Sequence, residues 1–261
     1  MRITAFLIGL CLFGMGCGQE SPSYTELVLH GDAIAAQIQK GLAGTRAEFH
    51  ADRIGPDGRA LPGCFVQFGP SLGDRRFEFS LPDRVVDLGY AGKITYKIDS
   101  VKLRSVKVGT SNGEFVLSAA FYSDGVALKG SHSVLGDAAV PDIELENMLL
   151  VVKLRPVVTP NNAISYDDPK VEFTTDVDNT FIPRFTLLGH TIDVVDTLTN
   201  YRQDLCQSIQ RQIQRALDDP ARKAALSKKI EESIAGQIAG PNSPILGLKF
   251  QGSNLVVRLR K

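Results

Sequence analysis

Apolar and polar residues alternate along much of the chain between residues 77 and 177. The alternation is clearest at Phe77–Leu81, Ile94–Ile98 and Phe115–Phe121, where apolar side chains occupy every second position. A period of two puts successive side chains on opposite faces of a strand, and antiparallel hairpins with one buried face show this pattern. The pattern therefore predicts a long antiparallel sheet with one covered face.

The alternation changes phase after Asp142–Glu146. Beyond Asn147, the residues from Met148 to Leu154 become apolar on both faces of the predicted strand. A β-bulge near Asn147 would produce this change, and so would a strand that passes from solvent into a covered layer.

Helical spacing replaces the alternation in two regions. Residues 33–42 carry apolar side chains at intervals of three and four after Asp32, which suits an N-cap. After Asn179 an apolar stripe over Leu198–Leu217 predicts a long amphipathic helix, and Pro220 suits the first turn of a second one. A final alternating strand over residues 255–259 returns to the sheet most simply. We therefore predict one α+β domain over residues 25–261.

The N-terminus predicts export. Arg2 precedes an apolar stretch of thirteen residues, Ile3 to Met15, which is shorter than the roughly 20 residues that a membrane span needs. We interpret residues 1–16 as a signal peptide, Cys17 as a lipidation site and residues 17–24 as a polar tether. Ordinary signal cleavage is the alternative, because lipoprotein signals usually carry Leu at the position of Gly14. The expected location is the periplasm-facing side of a bacterial membrane, with a lipid anchor.

The balance of charges bears on the partners that we expect. The chain has 29 basic and 29 acidic residues, whereas a protein whose main partner is nucleic acid needs a clustered basic surplus. Nucleic acid is therefore not an expected partner.

Cys64 and Cys206 remain after the signal and the lipidation candidate are set aside. In an oxidising compartment they could form a disulfide or stay as two separate buried thiols.

Motifs for catalysis, metals and cofactors are missing from the sequence. None of the four histidines lies at a metal-ligand spacing from another His, Cys or carboxylate, and the glycine motifs of nucleotide-binding and hydrolase folds do not occur. His190 with Asp193 and Asp196 is the nearest approach to an acid–base group, and acids at a helix start explain it better. We therefore expect a protein that is not an enzyme and needs no cofactor.

The sequence holds more apolar surface than a sheet with one covered face requires. The helices and the sheet could cover one another and form a filled core, and the protein would then act through its outer surface as a structural or interaction lipoprotein. Alternatively, a curved sheet and the helices could leave an apolar groove for a lipid or another hydrophobic ligand.

The order of elements resembles the tubular lipid-binding (TULIP) superfamily, particularly the small bacterial lipoproteins of the YceB type. The resemblance is carried by the strand–helix start, the long antiparallel strands, the stretch from Asp124-Gly125 to the segment Pro141–Asn147, the long helix and the closing strand. It implies a long curved antiparallel sheet wrapped around the C-terminal helical segment, with an elongated apolar cavity between them. It implies no catalytic residues. The positions that would line such a cavity are Phe115, Leu117, Phe121, Leu150, Val152, Leu154, Phe173, Leu205, Ile209 and Ile213.

Overall fold

Antiparallel strands make up most of the chain that can be described. The computed structural model describes residues 24–54, 60–67, 76–79, 84–123, 128–178, 184–238 and 244–260. The signal peptide, Cys17 and most of the predicted tether lie outside these residues, and Tyr24 belongs to the first strand and not to the tether. The strands are β1 (Tyr24–His30), β2 (Arg46–Ile54), β3 (Ala60–Gln67), β4 (Arg76–Phe79), β5 (Arg84–Asp87), β6 (Lys93–Ile98), β7 (Ser100–Ser111), β8 (Glu114–Tyr122), β9 (Leu128–His132), β10 (Glu144–Val158), β11 (Ile164–Asp178), β12 (Arg184–Leu187), β13 (His190–Asp193), β14 (Ile245–Gln251) and β15 (Asn254–Arg260).

The largest sheet of the described chain has seven strands in the order β11-β10-β8-β7-β2-β3-β4. Three smaller sheets accompany it: β1-β15-β14, β5-β6-β9 and the hairpin β12-β13. All these pairings are antiparallel. Together with the three helices described below, they confirm the predicted α+β class and the antiparallel sheet.

A bulge accounts for the predicted phase change in β10. The register between β10 and β11 shifts between Glu146 and Leu149, and Asn147 has a φ of 49°. Asn adopts this left-handed conformation more readily than most residues. The extra residue turns Met148, Leu150, Val152 and Leu154 to the same face as Leu145, so the core face stays continuous.

Three helices, α1 (Gly31–Gly41), α2 (Val194–Asp218) and α3 (Pro220–Ala235), pack on the large sheet. α3 starts as predicted: Pro220 is its first residue, and the Asp219 side chain accepts a hydrogen bond from the Arg222 N–H at 3.0 Å. The predicted start of α1 was wrong. Asp32 lies inside the first turn and accepts from the Thr110 hydroxyl, while the Gly31 N–H is bonded to the Ser253 carbonyl.

The β12–β13 hairpin was not predicted. Its two-residue turn, Leu188-Gly189, joins strands of four residues each, which are too short for a clear alternating pattern. The hairpin ends at Asp193 and α2 begins at Val194, so the helix start that we expected near Asp193 and Asp196 follows the hairpin directly.

Buried apolar side chains form two clusters. The terminal-sheet core joins the β1-β15-β14 sheet, α1 and α3 to one part of the large sheet, and it includes Leu29, Ile34, Phe115, Val152, Leu154, Ile164, Tyr166, Ile230, Ile234, Leu255 and Val257. The hairpin core joins β6, β9, the β12–β13 hairpin and α2, and it includes Ile94, Tyr96, Leu128, Ile143, Met148, Phe173, Leu187, Ile192, Leu205 and Ile209. Leu150 and Ile213 pack against both clusters. These two residues therefore connect the two clusters.

Candidate functional site

The candidate site is the inner face of the large sheet at its central strands β8 and β10. Leu150 lies opposite Ala119 on β8 and Phe173 on β11. The next inward row pairs Val152 with Leu117 and Val171. Each row continues onto β7, because Ala119 pairs with Val106 and Leu117 with Val108. The floor of the site is therefore an apolar surface four strands wide.

One side of this floor is bounded by α1, which packs on β7. The Val108 N–H donates to the Gln39 Oε1 atom at 3.3 Å, and the Thr110 hydroxyl donates to Asp32 at 2.9 Å. β2 pairs with β7 only at residues 100–102 of β7. The later residues of β7 therefore present backbone groups that α1 side chains can satisfy, which protects this edge from pairing with another chain.

The other side is bounded by α2 and α3, which pack on β11. The Gln210 Nε2 atom donates to the Phe173 carbonyl at 3.3 Å, and the Tyr166 hydroxyl donates to the Leu217 carbonyl at 2.6 Å. Helices thus pack on β7 and β11, the strands that flank β8 and β10. Side-chain hydrogen bonds join the helices to these strands on both sides.

The resemblance named ten positions as cavity lining, and the structure divides them into two groups. Six are at most 5 % exposed and belong to the two cores: Phe115, Val152, Leu154, Phe173, Leu205 and Ile209. Phe115 also meets Phe250 edge to face at 5.4 Å between ring centroids. Side chains this enclosed contact protein on nearly all sides, so these six are core residues in this structure.

The other four positions, Leu117, Phe121, Leu150 and Ile213, are partly exposed. Leu117, Phe121 and Leu150 project from the central strands on the same face as buried neighbours such as Ala119 and Val152. Val106 and Val108 on β7 are also partly exposed. The accessible apolar surface therefore lies over β8 and β10, between the strands on which the helices pack. We call Leu117, Phe121, Leu150 and Ile213 the central gap.

Polar chemistry lies away from the central gap. The Tyr96 hydroxyl and the His132 Nε2 atom, both in the hairpin core region, are buried and make no hydrogen bond to the described part of the chain. Burial, helped by the charge of Asp142, raises the pKa of Tyr96 to about 12. Burial likewise raises the pKa of Tyr166 to about 12, with a further contribution from Asp218. Neither phenol is activated as an acid or base near neutral pH.

The structure gives His190 and Asp193 separate surroundings. They stand at the two ends of β13, where the Asp193 carboxylate accepts from the Arg184 Nε atom at 2.9 Å, and the His190 ring lies 5.8 Å from the exposed ring of Tyr90. Within the described ranges, no group of three or more His, Cys, Asp or Glu side chains is arranged to hold a metal ion.

Cys206 is a free thiol, so the suggested disulfide with Cys64 is not formed in this structure. Cys206 lies on α2 and is packed against the hairpin core, and burial raises the pKa of its thiol. Cys64 lies on β3, where its backbone pairs with β2 and β4. Of the two alternatives from the sequence, the structure shows Cys206 as a separate, partly buried thiol.

The predicted lipidation site and signal peptide lie outside the described residues. None of the helices in the described ranges is both long enough and apolar enough to cross a membrane.

Sequence reasoning missed the side chains that position the walls of the site. Gln39 and Gln210 occupy polar positions on amphipathic helices, where they are indistinguishable from solvent-facing residues until the strand edges are located.

No family model matches the chain, and no curated protein matches it significantly.

Proposed function

We propose that this protein is a non-enzymatic, lipid-anchored protein of the bacterial cell envelope that binds a lipid or another hydrophobic ligand between its large sheet and its helices, in a TULIP-like arrangement. The central gap is the observation that carries the proposal. Leu117, Phe121, Leu150 and Ile213 are apolar and partly exposed, and the first three lie on the sheet face that also carries the buried Ala119 and Val152. A well-packed core has few such positions, and apolar ligands bind where they occur.

The chemistry of this surface favours an apolar ligand. The floor rows consist of Leu, Val, Ala and Phe side chains, so a charged ligand group placed there would lose its hydration without gaining a partner. The surface also extends along β8 and β10 between the two cores, which suits an elongated molecule such as an acyl chain.

A second candidate is a structural or interaction lipoprotein with a packed core. It is favoured by the tight burial of Phe115, Val152, Leu154, Phe173, Leu205 and Ile209, which are at most 5 % exposed. In this alternative the central gap is a packing defect without a ligand, and the outer surface carries the function.

Ligand content separates the two candidates. We would purify the full chain from membranes in mild detergent and measure bound lipid by native mass spectrometry, together with binding of a fluorescent fatty acid. Leu150→Phe places a larger side chain in the central gap, so it should reduce bound lipid and probe. Leu149→Phe is the matched control, because Leu149 directly precedes Leu150 on the same strand, is 37 % exposed and faces away from the gap. An unliganded wild-type protein, or equal probe binding by both variants, would reject the groove and favour the packed core.

The anchor requires its own test. Cys17→Ser should move the exported protein from the membrane fraction to the soluble fraction, since it removes the sulfur that carries the lipid. An unchanged distribution would reject lipidation at Cys17 and leave ligand binding untouched.

A further inference from the structure

Several large apolar side chains beside the hairpin core project into solvent. Tyr90 is 97 % exposed, Val134 73 %, Leu188 54 % and Leu135 47 %. Isolated exposed apolar residues are ordinary, whereas clustered ones mark interaction sites.

These four residues come from three separate turns that contact one another. Tyr90 lies in the turn between β5 and β6, and its ring is 5.8 Å from that of His190, two residues after Leu188. Val134 and Leu135 follow Ser133, whose N–H donates to the Lys93 carbonyl at 2.8 Å and whose hydroxyl accepts from the Lys93 N–H at 2.9 Å. The three turns therefore meet at one place. We call Tyr90, Val134, Leu135 and Leu188 the apolar tip.

The exposed position of Val134 and Leu135 is built into the fold. The buried His132 ring accepts hydrogen bonds at Nδ1 from the N–H groups of Val134 (3.2 Å) and Leu135 (3.0 Å). This bonding holds the backbone against the hairpin core and leaves the two apolar side chains pointing outward. The buried His132 ring therefore fixes the backbone that presents these two side chains to solvent.

Leu188 is an unusual residue for its turn. It has a φ of 49° and is followed by Gly189 at 81°, a combination that favours Asn-Gly. Leu in this conformation is disfavoured, and here it gains little packing in return, because about half of its surface is exposed. A contact with something outside the chain would explain why an apolar side chain stands there.

We propose that the apolar tip inserts into the interfacial layer of a lipid bilayer. Separate side chains on converging turns suit a fluid bilayer, which requires no matching shape, and an exposed Tyr suits the membrane–water interface. The described charges near the tip do not form a basic patch: Lys93 is paired with Asp87 at 3.5 Å, and Asp137 is exposed. The fitting surface is therefore a bilayer of neutral headgroups, bound by apolar contact. The proposal does not depend on a ligand in the central gap.

An introduced tryptophan tests the insertion, because the chain contains none. The full chain carrying Tyr90→Trp is mixed with phosphatidylcholine vesicles whose acyl chains are brominated. We expect its emission to move to shorter wavelength and to be quenched by the bromine atoms. Val28→Trp is the matched control: Val28 is 63 % exposed but lies on β1, beside the terminal-sheet core, and should show neither change.

Three results would overturn the proposal. They are an unchanged Tyr90→Trp emission, equal quenching of both variants, and a shift that depends on protein concentration without vesicles. The last result would identify a second copy of the chain as the occupant. Loss of bound lipid from the central gap with normal quenching at residue 90 would reject the proposed function and leave the tip proposal standing.

Leu188→Asn provides an independent measurement. The bilayer would bury the Leu188 side chain, so its removal should lower the partition coefficient into vesicles about tenfold or more. Asn suits the left-handed turn, so the folded state should not be weakened. Unchanged partition would contradict a role for Leu188 in membrane contact.

Discussion

Two hairpin turns with nearly the same φ angles carry different side chains. Asn112-Gly113 joins β7 to β8 beside the terminal-sheet core, with φ values of 50° and 81°, and Leu188-Gly189 joins β12 to β13 beside the hairpin core, with 49° and 81°. The first turn uses the residue pair that this geometry prefers. The second holds an exposed Leu where Asn would relieve backbone strain. Local stability accounts for the first turn, and the second requires another explanation, which the proposed membrane contact supplies.

The two cores also differ in how a buried tyrosine hydroxyl is bonded. In the terminal-sheet core, the buried Tyr166 hydroxyl donates to the Leu217 carbonyl at 2.6 Å. In the hairpin core region, the buried Tyr96 hydroxyl and the His132 Nε2 atom make no hydrogen bond to the described residues. Departures from local consistency tend to gather where a protein has a function to perform. The apolar tip that we propose as a membrane contact lies beside this core.

The largest expected effect tests whether the two cores unfold together. Leu255→Ala in the terminal-sheet core and Leu128→Ala in the hairpin core each remove a side chain that is 0 % exposed. Each should lower the free energy of unfolding by about 2–5 kcal/mol. Because β10 and β11 run through both cores, denaturant unfolding followed by circular dichroism should show one transition in each variant. Two separate transitions would divide the chain into independent units.

The buried tyrosines should respond differently to loss of the hydroxyl. Tyr166→Phe leaves the Leu217 carbonyl without its partner and should destabilise the protein by about 1–3 kcal/mol. Tyr96→Phe removes a hydroxyl that has no partner among the described residues, so it should be neutral or slightly stabilising. Equal losses in the two variants, measured by denaturant unfolding, would show that Tyr96 is hydrogen-bonded after all, for example to an ordered water.

Alkaline pH should weaken both cores. Burial raises the pKa of Tyr96 and Tyr166 to about 12, above the value near 10 expected in the unfolded chain. Between these values the unfolded chain loses protons that the folded protein retains, so stability falls as pH rises from about 10 to about 12. The thermal midpoint should decline over this window, and less steeply in Tyr96→Phe. An identical decline in that variant would place the sensitivity elsewhere.

Exchanging the turn residues addresses the opening comparison directly. Asn112→Leu should destabilise the protein by about 1–2 kcal/mol, because Leu is disfavoured at positive φ. Leu188→Asn should stabilise it by up to a similar amount. Thermal unfolding measures both changes, and destabilisation by Leu188→Asn would mean that this Leu contributes to packing in the folded state.

The smallest expected effect concerns a surface ion pair on the outer face of the sheet. Lys153 and Glu172 lie 2.9 Å apart, and their hydrogen bond raises the pKa of Lys153. Glu172→Gln should change stability only slightly, because solvent screens exposed pairs. Added salt should remove most of that difference. A larger loss that persists in salt would show that the outer face is more enclosed than its exposure indicates.

Local patterns predicted several features well. Alternation located the inward rows of β8 and β10, and the phase change at Asn147 proved to be a bulge. The Asp219-Pro220 pair marked the start of α3. Patterns failed where strands were short, as in β12 and β13, and where a contact distant in sequence decided the outcome, as at Asp32. The free state of Cys206 could not be predicted, because spacing in sequence does not determine the separation of two Cα atoms.

By itself the sequence determined the α+β class, the covered face of the long strands and the amphipathic stripes of the helices, because these depend on periodicity within one segment. Only the tertiary structure decided which apolar residues are enclosed. Phe115 and Leu117 are equivalent by alternation, yet one is buried against Phe250 and the other remains partly exposed between the helices. The same holds for the apolar tip, since exposure depends on which distant segments pack nearby, and three separate turns must fold before their side chains can meet.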